Sequence, residues 1–171
     1  MGRIALTQAD VRRKDLRRRY VPIVSTILAC FLNTLPIIVS TPLVPDFAFL
    51  VLLAWRLLRP EIWSPVTPLV LGLLNDLLAG HPLGQSAALW TVAFLAMDVI
   101  DSRVAWRDYW MDWLVAALFI LGYTYGDWVI GRWMGSSAEF AILWPQIGAS
   151  ILLYPVVSRI ILMLDRWRLA R

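Results

Sequence analysis

Apolar runs recur along the chain from Tyr20 to Leu164, and no polar block between them is long enough to fold by itself. Val21 to Pro45 carries no charged residue, which predicts a first membrane-spanning helix over about Tyr20–Ser40. Asn33 and Pro36 interrupt that run, and both are expected to face protein, because lipid offers no partner for the polar groups they expose or free. After a turn over Thr41 to Pro45, Asp46 is placed to cap the first amides of a second helix ending near Arg56 to Pro60. A third segment, Pro65–Ala79, is closed by Gly80-His81-Pro82. At about 1.5 Å per residue it covers roughly 23 Å of the roughly 30 Å of a hydrocarbon core, so bilayer thinning, flanking residues or a re-entrant path must supply the rest. A fourth segment runs from Leu83 to Ile100, a polar loop covers Asp101 to Asp112, and a fifth segment runs from about Trp113 to Met134. The sixth, Phe140–Leu164, is interrupted by Pro145 and Pro155.

The pattern therefore predicts an all-α integral membrane protein: a six-transmembrane-helix bundle over residues 20–164 between basic tails at 1–19 and 165–171. Composition agrees. In 171 residues, 60% are hydrophobic and 16% charged, with mean hydropathy +0.67, which is more apolar side chain than one soluble domain can hide and excludes a soluble enzyme domain. Net charge of +4 would suggest nucleic acid in a soluble protein, but here the placement of the charges decides. Of the 16 basic residues, seven precede Tyr20, Arg56 and Arg59 end the second segment, Arg103 and Arg107 follow the fourth, and Arg159, Arg166, Arg168 and Arg171 close the chain. Six spans put all fifteen on one face and leave only Arg132 on the other, so both termini are expected in the cytoplasm and no nucleic-acid partner is expected. The basic run Arg12 to Arg19 then holds the tail inside and rests on anionic membrane lipid. The single cysteine, Cys30, allows no internal disulfide and no thiolate cluster.

Catalytic options are few. His81 is the only histidine and lies in a turn beside Pro82, which leaves a serine nucleophile without a base and a metalloprotease without its ligand set. No enzyme activity, metal or cofactor is expected. The polar feature within the spans is Gly72-Leu-Leu-Asn75-Asp76, followed by Gly80, Leu83 and Gly84. On a helix, Gly72, Asn75, Asp76 and Gly80 share one arc, opposite Leu73, Leu74, Leu77 and Leu78. An ionised aspartate at mid-bilayer costs on the order of 3 kcal/mol, so Asp76 must be paired, hydrogen-bonded or protonated. Either it orders the outer half of the bundle or lines a small cavity there, or it simply caps a helix end. As the only basic side chain expected on the outer face, Arg132 is the expected ion-pair partner of Asp76, with Asp127 as competitor. Gly122 and Gly126 form a small-xxx-small face for close helix packing, and Asp98 and Asp101 read as solvated helix-end residues.

Taken together, Pro45-Asp46 opening the second helix, the Gly72 to Asp76 run with Gly80, Leu83-Gly84 and Ala87 to Leu89, and Tyr154-Pro155 in the last helix resemble the rod shape-determining MreD family. The resemblance implies a non-catalytic inner-membrane subunit of the bacterial cell-elongation machinery. It implies MreC, a single-span coiled-coil protein, as partner, and MreB filaments, the RodA glycosyltransferase and a penicillin-binding transpeptidase as direct or indirect partners. It also implies a fold similar to substrate-binding subunits of energy-coupling-factor transporters, so a vitamin-type transporter subunit is the alternative function. Asp46, Gly72, Asn75, Asp76, Gly80, Leu83, Gly84 and Arg132 are the structural or binding candidates, with their roles open.

Overall fold

Local sequence signals set the helix ends in the computed structural model, which describes residues 8–34, 44–103 and 108–169. Six α-helices occur among these residues: α1 (Gln8–Asn33), α2 (Phe47–Leu58), α3 (Thr67–Ala79), α4 (Gln85–Arg103), α5 (Tyr109–Trp133) and α6 (Trp144–Leu169). Short 3-10 turns at Pro60–Ile62 and Phe140–Leu143 precede α3 and α6. Asp46 starts α2 as expected, its carboxylate accepting from the Phe49 amide at 3.0 Å. Gly80 ends α3 in the left-handed conformation, φ 72°, where its own amide and that of His81 both return to the Asp76 carbonyl.

Several boundaries move. Helix α1 begins at Gln8, because the Arg- and Lys-rich stretch before Tyr20 propagates a helix even though hydropathy marks only its apolar part. The expected end at Ser40, and Pro36 with it, lie outside the described residues. The expected loop Asp101 to Asp112 is shorter: α4 takes in Asp101 to Arg103 and α5 opens at Tyr109, while residues 104–107 lie outside the description. Pro145 does not break the last helix. It sits in its first turn, where a missing amide hydrogen costs nothing, and only Pro155 is internal.

Helix α2 is the core of the bundle. It is apolar around its circumference, and Ala48, Phe49, Leu50, Leu52, Leu53, Ala54 and Trp55 are all buried. α1 and α6 pack along it, α5 touches it, and α3 pairs chiefly with α4. Being wrapped by protein, α2 has no need to match a lipid thickness, which accounts for a length of only 12 residues. The outer helices show the reverse pattern. Leu28, Leu77, Val92, Leu118 and Leu152 are exposed, as lipid-facing side chains would be. Tyr109–Trp133 and Phe140–Leu169 are long and apolar enough to cross a membrane, whereas Tyr20–Asn33, Phe47–Leu58 and Thr67–Ala79 are shorter apolar helices.

Charged groups close one end of the bundle. Arg56 is buried at 2% exposure, stacks 5.7 Å from the Phe94 ring centre, and donates to Asp101 at 2.9 Å and to Asp98. Asp98 and Asp101 are therefore not merely solvated helix ends: a buried guanidinium needs carboxylates to offset its desolvation, and these supply it. Beside them Asp165 accepts from Arg59 at 2.9 Å and from Arg168 at 2.6 Å, and Arg168 lies 5.1 Å over the Trp55 ring. The bond to Asp165 favours the charged form of Arg59 and raises its pKa.

Candidate functional site

The motif residues gather at the opposite end, which we call the Asp46 end. The arc expected on α3 faces inward: Gly72, Asn75 and Asp76 are buried, while Leu73 and Leu77 are exposed. Gly72 lets α4 approach so closely that a Cβ there would lie 2.8 Å from the Ser86 carbonyl carbon and closer still to the Cα of Ala87. This contact seats the start of α4 against the middle of α3.

Asp76 occupies that junction. Its Oδ2 accepts from the Gly84 amide at 2.9 Å and its Oδ1 from the Ser86 amide at 2.8 Å. These are orphan amides of α4's first turn, so a carboxylate on one helix caps the next and sits at the positive end of its dipole. Gly84 makes the geometry possible, with φ 97° and a carbonyl that accepts from Ala88 to begin α4. Asn75 adds a bond from its Nδ2 to Ser86 Oγ at 3.1 Å. Asp76 thus caps a helix end, and that end belongs to the next helix, α4, rather than to its own.

The expected ion pair is corrected. Among the described residues no ion pair joins Asp76 to Arg132: the two amides already satisfy both oxygens of Asp76, and Arg132 is exposed 5.4 Å over the Trp128 ring. Asp127 accepts instead from the Gln85 amide group. An exposed cation–π contact is worth roughly 0.5–1 kcal/mol. Arg132→Ala is thus expected to cost no more than about 1 kcal/mol, and its effect should add to that of an Asp76 variant when unfolding of the singles and the double is compared.

Asp46 makes a second junction that the sequence reading saw only as a cap. Its Oδ1 also accepts from Asn33 Nδ2 at 2.7 Å, and its Oδ2 accepts from the Tyr123 hydroxyl at 2.6 Å. Asn33 in turn accepts from the Phe47 amide at 3.1 Å, so α1, α2 and α5 are tied at one carboxylate. Phe49 stacks on Tyr123 with ring centres 4.2 Å apart and fixes the phenol. Tyr123, Ser86 and Gln85 were missed; no spacing rule connects Tyr123 to a carboxylate 77 positions away. Leu83, by contrast, is 73% exposed on the α3–α4 turn, and the structure brings it into neither junction.

Between the junctions lies a cavity of about 260 Å³, lined by Asn33, Asp46, His81, Tyr123, Asp127 and Gln146 among others. Asn75 and Asp76, the pair expected to face a cavity if one existed, are not in this lining. Tyr125, Trp128, Phe140 and Trp144, none of which lines the cavity, form a connected aromatic cluster between α5 and the start of α6 with ring centres 5.5–5.9 Å apart. A separate, almost wholly apolar groove of about 440 Å³ runs outside α3 and α4, between Leu69 and Leu73 on one side and Val92 on the other, over a floor that includes Gly84, Ala88 and Thr91.

No curated protein and no solved structure matches the chain. The family model described as rod shape-determining protein MreD matches residues 16–164, a range that takes in both junctions and all six helices in whole or in large part. With that match the chain belongs to the MreD family of rod shape-determining membrane proteins.

Proposed function

We propose that the chain is a six-span, non-catalytic scaffold of the inner membrane that holds MreC beside the peptidoglycan synthases. In this reading residues 20–164 form the membrane domain, the tails 1–19 and 165–171 lie in the cytoplasm, and the Asp46 end faces out. The clustering of Arg56, Arg59 and Arg168 at one end, with Arg132 the only arginine near the other among those whose side chains are described, supports that orientation. The short helix α2 takes part in the span because neighbouring helices, rather than lipid, surround most of its surface, whereas α3 buries its Leu71, Gly72, Asn75 and Asp76 face and turns Leu73 and Leu77 outward.

The groove outside α3 and α4 is the observation that carries the scaffold reading. In lipid, helices associate through close packing over small residues, and this groove offers a floor of them between leucine and valine walls. The single membrane-spanning helix of MreC is the occupant we propose. A photo-crosslinker at Val92 in the groove, compared with one at exposed Leu152 on α6, tests this in cells. Val92 should capture MreC and Leu152 should not. Equal capture from both, or none from Val92, rejects the groove. Copurification separates the alternative class, since a vitamin-type transporter subunit with the energy-coupling-factor fold would bring ATPase subunits rather than MreC.

A further inference from the structure

The groove outside α3 and α4 is shaped from behind. Its floor includes Gly84, Ala87 and Ala88, and Leu73 on α3 forms part of one wall. The backbone under that floor is the backbone Asp76 holds: the Gly84 amide donates to Oδ2 at 2.9 Å and the Ser86 amide, one residue before Ala87, to Oδ1 at 2.8 Å. Gly72 seats against the Cα of the same Ala87, where a Cβ would be too close for the two helices to keep their spacing. The first turn of α4 thus has an inner side tied to a carboxylate and an outer side open as a groove. Anchor and wall both belong to α3, so the Asp76 bonds fix how far the floor lies from the wall.

No side chain on the floor can set that distance instead. Gly84, Ala87 and Ala88 carry at most a methyl group, and the Thr91 hydroxyl turns back to the Ala87 carbonyl at 2.7 Å. The floor therefore offers neither a free side-chain donor nor a bulky knob, and whatever it seats is recognised by shape. Shape recognition is steep. Dispersion between facing atoms loses a quarter to a half of its strength over a gap of about 0.5–1 Å. Small residues on this chain also call for large ones on the occupant, since a second small surface would leave the groove of about 440 Å³ unfilled. The occupant that fits is an apolar helix presenting a row of leucine-, isoleucine- or phenylalanine-sized side chains.

On the reading that the groove seats the MreC helix, we propose that Asp76 is a positioning residue for docking: from the buried side of α4's first turn it sets the depth of the groove, and through that depth the affinity for a helix with bulky apolar side chains. Asp76 itself touches no occupant. It acts by holding Gly84 and Ser86 in place, and the coupling runs in both directions, so an occupant pressed on the floor strengthens the Asp76 bonds by the same factor by which those bonds strengthen docking.

The test uses the full chain together with MreC. A photo-crosslinker at Val92 reads docking in cells, with capture normalised to the amount of inserted chain. Asp76→Asn keeps one acceptor and should lower capture at least about fivefold, whereas Asp165→Asn, the same carboxylate-to-amide change at the other end of the bundle, should leave it within about twofold. In nanodiscs, adding MreC to the wild-type chain should slow hydrogen exchange at the Gly84 and Ser86 amides by at least about fivefold, with no comparable change at the Phe49 amide, which is bound to Asp46. Equal loss of capture in the two variants marks a general loss of fold and overturns the proposal, as does undiminished capture in a folded Asp76→Asn. Unchanged exchange at Gly84 and Ser86 with MreC bound overturns it even where Asp76→Asn does not fold. If wild-type Val92 captures no MreC, the docking reading falls and the role of Asp76 with it; capture in the wild type alongside any of the other adverse results removes the role of Asp76 alone.

Discussion

Gly72→Ala is expected to destabilise the bundle by about 3 kcal/mol, at the upper end of what overpacking a closely packed site costs. The added Cβ meets the backbone of Ser86 and Ala87, not the tip of a side chain that could turn away. Relief therefore requires α4 to move as a unit, and that separates the amides of Gly84 and Ser86 from Asp76. Gly126→Ala is the control. Its Cβ would approach only Leu89 Cδ2, which a rotamer change removes, so a loss below about 1 kcal/mol is expected. Reversible unfolding of both variants in mixed micelles measures the difference. A Gly72→Ala protein as stable as the wild type would mean that α3 and α4 do not approach as described.

Removal of the Asp76 carboxylate has the next largest expected effect. Asp76→Ala leaves two amides of α4's first turn unmet in a buried setting, and hydrogen bonds to a charged acceptor contribute about 1.5–3 kcal/mol each, not additively. A total loss of about 2–4 kcal/mol follows. Asp76→Asn recovers only part of it, because its amide group offers one acceptor where two are used. Hydrogen exchange reads the same event locally: the Gly84 and Ser86 amides should lose protection before the rest of α4. Unchanged protection at these two amides would reject the cap.

Much of this was written in local patterns and little of it in long-range ones. The inward arc of Gly72, Asn75 and Asp76, the cap at Asp46 and the stop at Gly80 each follow from residues within a turn or two of one another. The partner of Asp76 was also within reach. A carboxylate one turn before a Gly80 to Gly84 reversal is carried back to the start of the next helix by the turn itself, yet unlike charge drew attention to Arg132 instead. The contacts of Arg56 with Asp98 and Asp101, and of Tyr123 with Asp46, span 42 to 77 positions and depend on how the helices pack around α2. Hydropathy likewise marks where a helix is apolar, not where it starts, which is why no helix was expected in the twelve residues of α1 before Tyr20.

Pro22 divides that first helix near the point where its basic stretch gives way to the apolar one. A proline gives no amide hydrogen to the carbonyl four residues before it, here that of Arg18, so the ladder is weakest at this level. Ser25 and Thr26 return their hydroxyls to the Pro22 carbonyl at 2.9 Å, sharing an acceptor with the backbone ladder and favouring a bend at the same level. Load applied to the arginine-rich segment should be taken up as a swivel at Pro22 and fade before it arrives at Asn33, leaving the knot around Asp46 mechanically insulated from whatever grips the other tip of the rod.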